Sequence, residues 1–217
     1  NDITWDVEFD SSGNLVVGSV SYTTDESIVR KIDRNGNVIW NKSLPGSGIY
    51  DVAIDNVGNV YGIGRISNYV VKYDSNGNVI WNGITGTAIA DGGGAGIDVD
   101  SANNFIITSH NSNNDLIVEK YDSNGIKIWN RTYSAAGADH GYAVNVDNSD
   151  NIYVTGYTRA VAGGNSDIIL LKYDSSGNLL WSKTFGGSKD DSAYDVTTDN
   201  SGNIYVTGRT QSYTNSV

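Results

Sequence analysis

The residues whose types are best suited to chemistry are the two histidines, His110 and His140, which have Asp115 and Asp139 close by in the chain. Two imidazoles and a carboxylate form a zinc-type donor set, yet no local element fixes their spacing, and solvated loop histidines are the simpler reading. Asp190 and Asp191 offer paired carboxylates. Glycoside hydrolysis requires two carboxyls at a set separation, whereas adjacent loop carboxylates more often cap turns. Cysteine is absent, no Gly-x-Ser-x-Gly occurs, and no histidine is set beside a nucleophile by sequence, so no catalytic residue is assigned. The stretches Asp33-Arg34-Asn35-Gly36-Asn37 and Asp74-Ser75-Asn76-Gly77-Asn78 look like the opening of a calcium loop. A full loop needs six to eight oxygens and a late bidentate carboxylate, and none follows at the right distance. The expectation is therefore a turn capped by Asp and no cofactor, with Ca2+ or another cation as the exception these turns would allow. Ala90-Asp91-Gly92-Gly93-Gly94 lacks the strand-to-helix context and Lys of a phosphate loop and reads as a flexible connection.

Composition narrows the partners. Fourteen Lys and Arg against 25 Asp and Glu give a net charge of -11, a field that repels nucleic-acid phosphates and anionic lipid surfaces. There is no run of 18 apolar residues, so membrane insertion is not expected, and the first residues have neither a basic nor an apolar leader region. Met is absent, which suggests a processed product or a piece of a longer protein.

The elements that must position these residues are hairpins. Lys172-Tyr173-Asp174-Ser175-Ser176-Gly177-Asn178-Leu179-Leu180-Trp181 joins two strands through a short turn, and near copies run Lys31 to Trp40, Lys72 to Trp81 and Lys120 to Trp129. A second set of Asp-x-x-Gly-Asn turns begins at Asp10, Asp55, Asp100, Asp147 and Asp199, flanked by alternating strands such as Tyr50 to Ile54 and Val60 to Gly64. A repeat of about 45 residues holding four antiparallel strands, here called a, b, c and d in chain order, is the signature of a propeller blade. The fold expected is all-β: a β-propeller of four-stranded antiparallel blades over residues 1–217, starting near residues 5, 50, 95, 142 and 194. Four blades are complete and the last is a half blade, to be completed by further chain or by another molecule. Trp40, Trp81, Trp129 and Trp181 recur once per complete blade and are expected to pack between blades. Asp6, Glu8, Asp51, Asp98 and Asp195 share one side of the inner strands and should crowd near the axis, compensated by hydrogen bonds, ordered water or a cation.

The b–c loops and d–a connections vary in length and share one face, which carries His110, Asp115, Asp139, His140, Arg159, Asp190 and Asp191. Any local binding function is expected there. Asn41-Lys42-Ser43 and Asn130-Arg131-Thr132 are glycosylation sequons on outer strands.

The wording of Gly141 to Thr158 and of Phe185-Gly186-Gly187-Ser188-Lys189-Asp190-Asp191 resembles the SBBP family of bacterial and archaeal β-propeller repeats, with looser similarity to NHL and PQQ-like repeats. The departures are Asn103 and Asp150 where other turns have Gly, and Ile126 where others have Asn; Asn and Asp tolerate positive φ. The SBBP resemblance implies a secreted or cell-surface protein without established catalysis. The function expected is a non-enzymatic structural or adhesive module that binds proteins or self-associates through its half blade. A carbohydrate-binding lectin is the alternative, and a hydrolase or lyase using loop carboxylates a third reading.

Overall fold

The computed structural model describes residues 2–21, 23, 26–45, 48–64, 69–84, 95–160 and 165–212. The Gly-rich stretch 90–94 lies outside them, as do parts of several loops on the variable face. Blade 1 is formed by β1 (Asp2–Phe9), β2 (Leu15–Ser21), β3 (Glu26–Ile32) and β4 (Val38–Pro45). Blade 2 contains β5 (Ile49–Ile54), β6 (Val60–Gly64), β7 (Tyr69–Tyr73) and β8 (Val79–Ile84). Blade 3 contains β9 (Gly96–Val99), β10 (Phe105–His110), β11 (Leu116–Tyr121) and β12 (Lys127–Tyr133). Blade 4 contains β13 (Asp139–Val146), β14 (Ile152–Thr158), β15 (Asp167–Tyr173) and β16 (Leu179–Phe185). The half blade is β17 (Asp191–Thr198) with β18 (Ile204–Thr210). Each sheet is an antiparallel meander in chain order. The fold is the expected one, four complete four-stranded blades and a two-stranded fifth.

The turns are built as their composition demands. In the first, Asp10 Oδ1 accepts the N–H groups of Ser12 and Asn14 while Oδ2 accepts the Asn14 side-chain amide. The fourth position is left-handed: Gly13, Gly36 and Gly58 have φ of 74°, 86° and 85°, and Asn103 and Asp150 take 63° and 59° in place of Gly. At Asp122 the backbone bond from Ile126 survives at 2.8 Å, which explains why Ile is tolerated there. Both oxygens of Asp33 and Asp74 are engaged in the same way. The b–c loop Asn111 to Asp115 is a further turn of this kind, with Asn114 at φ 62°.

Inner strands β1, β5, β9, β13 and β17 pack each along the next. Among the described residues β1 and β17 do not pack along each other in this way, and Trp5, Val7 and Phe9 on β1 are exposed. Apolar clusters fill the four spaces between successive blades, each uniting residues of two neighbouring sheets. Burying these faces is what makes sheets too small to be stable alone hold together.

A polar joint repeats at these interfaces. Trp40 Nε1 donates to the carbonyl of Ser75, in the c–d turn of the next blade, at 3.2 Å, and Trp81 does the same to Ser123 at 3.1 Å. Lys31, Lys72 and Lys120 reach the same position, donating to the carbonyls of Ser75, Ser123 and Ser175. Each of these lysines also pairs within its own blade, with Asp10, Asp55 and Asp100 at 2.9, 3.6 and 2.7 Å. Trp129 lies under the Arg131 guanidinium, which donates to the carbonyls of Gly177 and Ser176 in the next blade. Trp40 and Trp81 therefore both pack and bond between blades, while Trp129 and Trp181 pack against the next two interfaces.

Candidate axial binding site

The inner strands carry a β-bulge near their start. Register shifts fall between Thr4 and Asp6, Ile49 and Asp51, Gly141 and Ala143, and Ala193 and Asp195. The extra residue at each is aromatic: Trp5, Tyr50, Tyr142 and Tyr194. A bulge leaves its extra residue out of the ladder and re-aims its side chain. Strand b must come close where the bulge sits, which is why it ends in glycine: a Cβ added to Gly156 would lie 1.9 Å from the His140 carbonyl.

The four aromatic residues and their neighbours line a cavity of about 410 Å3 on the axis, bordered also by Asp6, Asp51, Asp195 and the small Ala95 and Ala143. Trp5 and Tyr50 rings are 4.9 Å apart, and Tyr142 and Tyr194 stack at 6.0 Å. Two further acids, Glu8 on β1 and Asp98 on β9, stand within electrostatic reach of these carboxylates. The carboxylates also link the blades. Asp6 accepts the N–H of Val52, Asp51 that of Ile97 and Asp98 that of Val146, each in the next blade. Hydrogen bonding between blades is thus the compensation the inner-strand acids were expected to need.

That compensation is partial. Burial pushes Asp98 up to about 6 and, with Asp6, raises Asp51 well above the carboxylate range; burial raises Asp195 too. Glu8 touches solvent, but its carboxyl is pushed to about 7 by lost hydration and then by Asp98, Asp6 and Asp195. Because these folded-state values exceed the unfolded ones, their stabilising contribution is full below about pH 4 and declines as pH rises towards 7. His140 acts oppositely. Burial, then His110 and Arg159, lowers it to about 4, so its contribution is present above its ordinary value of 6.5 and lost below. From pH 8 to 6.5 the acids dominate. The melting temperature is therefore expected to rise over that interval, and Glu8→Gln to flatten the rise; an unchanged slope in the variant would show that Glu8 is not repelled.

The residues singled out on the variable face scatter into separate roles. His110, 1% exposed, stacks on His140 with ring centroids 3.7 Å apart and planes within 2°. His140 in turn lies 4.7 Å from Tyr157, behind the axial Tyr142. Among the described residues no group of three or more His, Asp or Glu side chains is placed to hold a metal ion. Asp115 closes its own turn with Asn111. Asp139 is fully buried, and its Oδ2 accepts the Ala135 N–H at 2.7 Å. Arg159 is exposed over the Tyr157 ring at 5.6 Å. Asp190 accepts the amide and hydroxyl of Ser166. Asp191 accepts bonds from Gly187, Gln211, Ser212 and Thr210, the matching place to Asp139 in the next blade. Adjacent in sequence, Asp190 and Asp191 thus face different partners. The sequons Asn41 and Asn130 are exposed on β4 and β12.

Residues 180–215 match the family model SBBP, described as a beta-propeller repeat. This chain is a β-propeller repeat protein. No curated protein matches its sequence. Solved propellers match its shape. The WD40 beta propeller domain of Doa1 aligns with TM-score 0.65 at 17% identity, over 95% of this chain and 60% of that one. A catalytically inactive virginiamycin B lyase from Staphylococcus aureus with quinupristin aligns with TM-score 0.61 at 11% identity, over 94% and 62%. A protein of unknown function from Bacteroides caccae gives 0.59 at 14%, over 89% and 64%. At these identities the likeness is one of fold, and the propeller described here spans about three fifths of the length of these structures.

The ring of aromatics was visible in the sequence only as a habit of placing Trp or Tyr directly before Asp-Val in strand a, at Trp5, Tyr50 and Tyr194. Taken as strand signals, these residues gave no sign that a bulge turns them to the axis.

Proposed function

We propose that this propeller is a non-catalytic binding module, extracellular or at the cell surface, whose axial mouth receives a positively charged side chain, Lys or Arg, presented by a protein partner. The observation that carries this reading is the lining of one cavity by four aromatic rings together with the carboxylates of Asp6, Asp51 and Asp195. Aromatic faces attract cations, and an entering cation offsets the cost of burying Asp51 and Asp195 beside Asp6, which raises both carboxyls. The net charge of -11 steers cationic partners towards it. The extracellular placement is supported by the SBBP resemblance and by the exposure of Asn41 and Asn130. The edge of the half blade is a second surface for assembly.

The same flat rings and carboxylates suit a sugar, and the stacked Tyr142 and Tyr194 favour that as the second reading. Titration of the full chain with acetyl-arginine amide and acetyl-lysine amide, followed by tryptophan fluorescence and calorimetry, separates the two. Saturable binding is expected, weakened by salt and reduced tenfold or more in Trp5→Ala and in Asp6→Asn, about 1.4 kcal/mol. Binding of neutral oligosaccharides with no uptake of either amide would replace the cationic reading by the lectin one. Unchanged affinity in both variants would remove the site.

A further inference from the structure

The axial wall is uneven, and its unevenness sorts the cations it can hold. At the aromatic position of the inner strand, where blades 1, 2 and 4 carry Trp5, Tyr50 and Tyr142, blade 3 carries Ala95. At the next position blades 1 and 2 carry Asp6 and Asp51, whereas blades 3 and 4 carry Gly96 and Ala143. Between Tyr50 and Tyr142 the cavity is therefore lined by Ala95 and Ala143, with no carboxylate. Packing fixes this small sector. A Cβ added to Gly96 would lie 2.8 Å from the Cα of Ala143 in the following blade, so an acid has no room there.

The acids across the cavity have part of their accepting capacity in use. Asp51 accepts the N–H of Val52 at Oδ1, 2.9 Å, and that of Ile97 at Oδ2, 2.8 Å. Asp6 Oδ2 accepts the Val52 N–H at 3.1 Å, and Asp195 Oδ1 that of Val196 at 2.8 Å. A lysine ammonium brings three N–H donors and a guanidinium five, pointing to different sides. Those facing the carboxylates find acceptors. Those facing Ala95 and Ala143 meet methyl groups, and a donor buried without an acceptor costs affinity. Replacing each N–H by N–CH3 removes the unmet donors and gives the alanines an apolar contact. The positive charge still meets the ring faces and the carboxylates.

We infer that the axial cavity selects a fully alkylated ammonium, the Nε-trimethyllysine side chain of a protein partner, over unmodified lysine and arginine. This inference rests on the axial-cation reading above and narrows it. A choline-type group carrying a phosphate a few atoms away would bring an anion up to Asp6 and Asp51 on a chain of net charge -11, whereas a lysine stem brings none. Ala95 and Ala143 are thus specificity-determining residues, and they belong to blades flanked on both sides by others.

The test titrates the full chain with acetyl-Nε-trimethyllysine amide, unmodified acetyl-lysine amide and phosphocholine, followed by calorimetry and tryptophan emission. The trimethylated amide is expected to bind about tenfold or more tighter than the unmodified one, and phosphocholine more weakly than the trimethylated amide. Ala143→Asp, which sets in blade 4 the carboxylate that blades 1 and 2 carry at this position, is expected to bring the ratio between the two amides near one. Because Ala143 is buried, its melting temperature is measured alongside, and Tyr50→Leu serves as a second variant, expected to weaken the trimethylated amide more than the unmodified one. Equal affinities for the two amides, or a tighter unmodified one, would overturn the inference and leave the axial-cation reading standing. Phosphocholine binding as tightly as the trimethylated amide would overturn the protein side chain as the source. A preference unchanged in both Ala143→Asp and Tyr50→Leu would overturn its assignment to this wall. Binding of none of the three would overturn the reading on which the inference rests, and the inference with it.

Discussion

Lys120→Met is expected to lower the free energy of unfolding by about 3–5 kcal/mol, the usual cost of removing one partner of a buried ion pair. Lys120 and Asp100 are both nearly buried, at 6% and 5% exposure, with Nζ 2.7 Å from the carboxylate. The ammonium also donates to Ser175 of blade 4 at 3.2 Å. Methionine fills the space of the stem but leaves Asp100 facing apolar surroundings with only its turn bonds from Ala102 and Asn104. Burial raises Asp100, and its bonds to Lys120 and Asn104 more than offset this, holding it below the usual carboxylate range. Its contribution is therefore present above about pH 4 and lost as pH falls through the folded value. Two consequences follow for urea titrations. The variant should be destabilised most at neutral pH and less near pH 3, and adding Asp100→Asn to Lys120→Met should recover part of the loss. A variant within 1 kcal/mol of the parent would mean that solvent reaches the pair.

Phe105→Ala is expected to cost about 3–5 kcal/mol as well, from lost burial and the cavity left behind. Phe105 is fully buried at the join of blades 2 and 3. Its ring lies 5.3 Å from Tyr61, 5.7 Å from Trp81 and 5.0 Å from Tyr121, the last stacked within 9°. These neighbours are themselves tied down. The Tyr121 hydroxyl donates to Glu119 at 2.8 Å and the Trp81 indole to Ser123, so the wall has little freedom to close over the gap. Equilibrium unfolding followed by both fluorescence and circular dichroism measures the loss. Because Trp81 sits at this interface, its emission should shift at lower denaturant than in the parent. A loss below 1 kcal/mol would show that the interface collapses and that the rings are not the seal between these blades.

The architecture was legible because it rests on local rules repeated many times. A left-handed fourth position requires Gly, Asn or Asp, so the turns announce themselves, and Asn103 and Asp150 fit the rule in place of Gly. The once-per-blade tryptophans likewise revealed an interface by their regularity, and Trp40 and Trp81 prove to bond across it. The crowding of Asp6, Glu8, Asp51, Asp98 and Asp195 followed from strand alternation alone. What could not be read were features that depend on pairing between strands. The bulges that turn Trp5, Tyr50, Tyr142 and Tyr194 towards the axis are set by the register of the neighbouring strand, which no local pattern encodes. The stacking of His110 on His140 joins β10 to β13 across a blade boundary, 30 positions apart in the chain. The roles of Asp139 and Asp191 as anchors of the preceding connections arise from loop geometry, and from their types alone they resembled reactive carboxylates.

The most direct measurement of the central claim is the structure of the chain crystallised with acetyl-arginine amide. The guanidinium is expected on the axis, bounded by Trp5, Tyr50, Tyr142 and Tyr194, with Asp6, Asp51 or Asp195 within hydrogen-bonding distance. A guanidinium bound instead on the outer strands or at the His110–His140 stack, with the axial cavity holding solvent alone, would contradict the account.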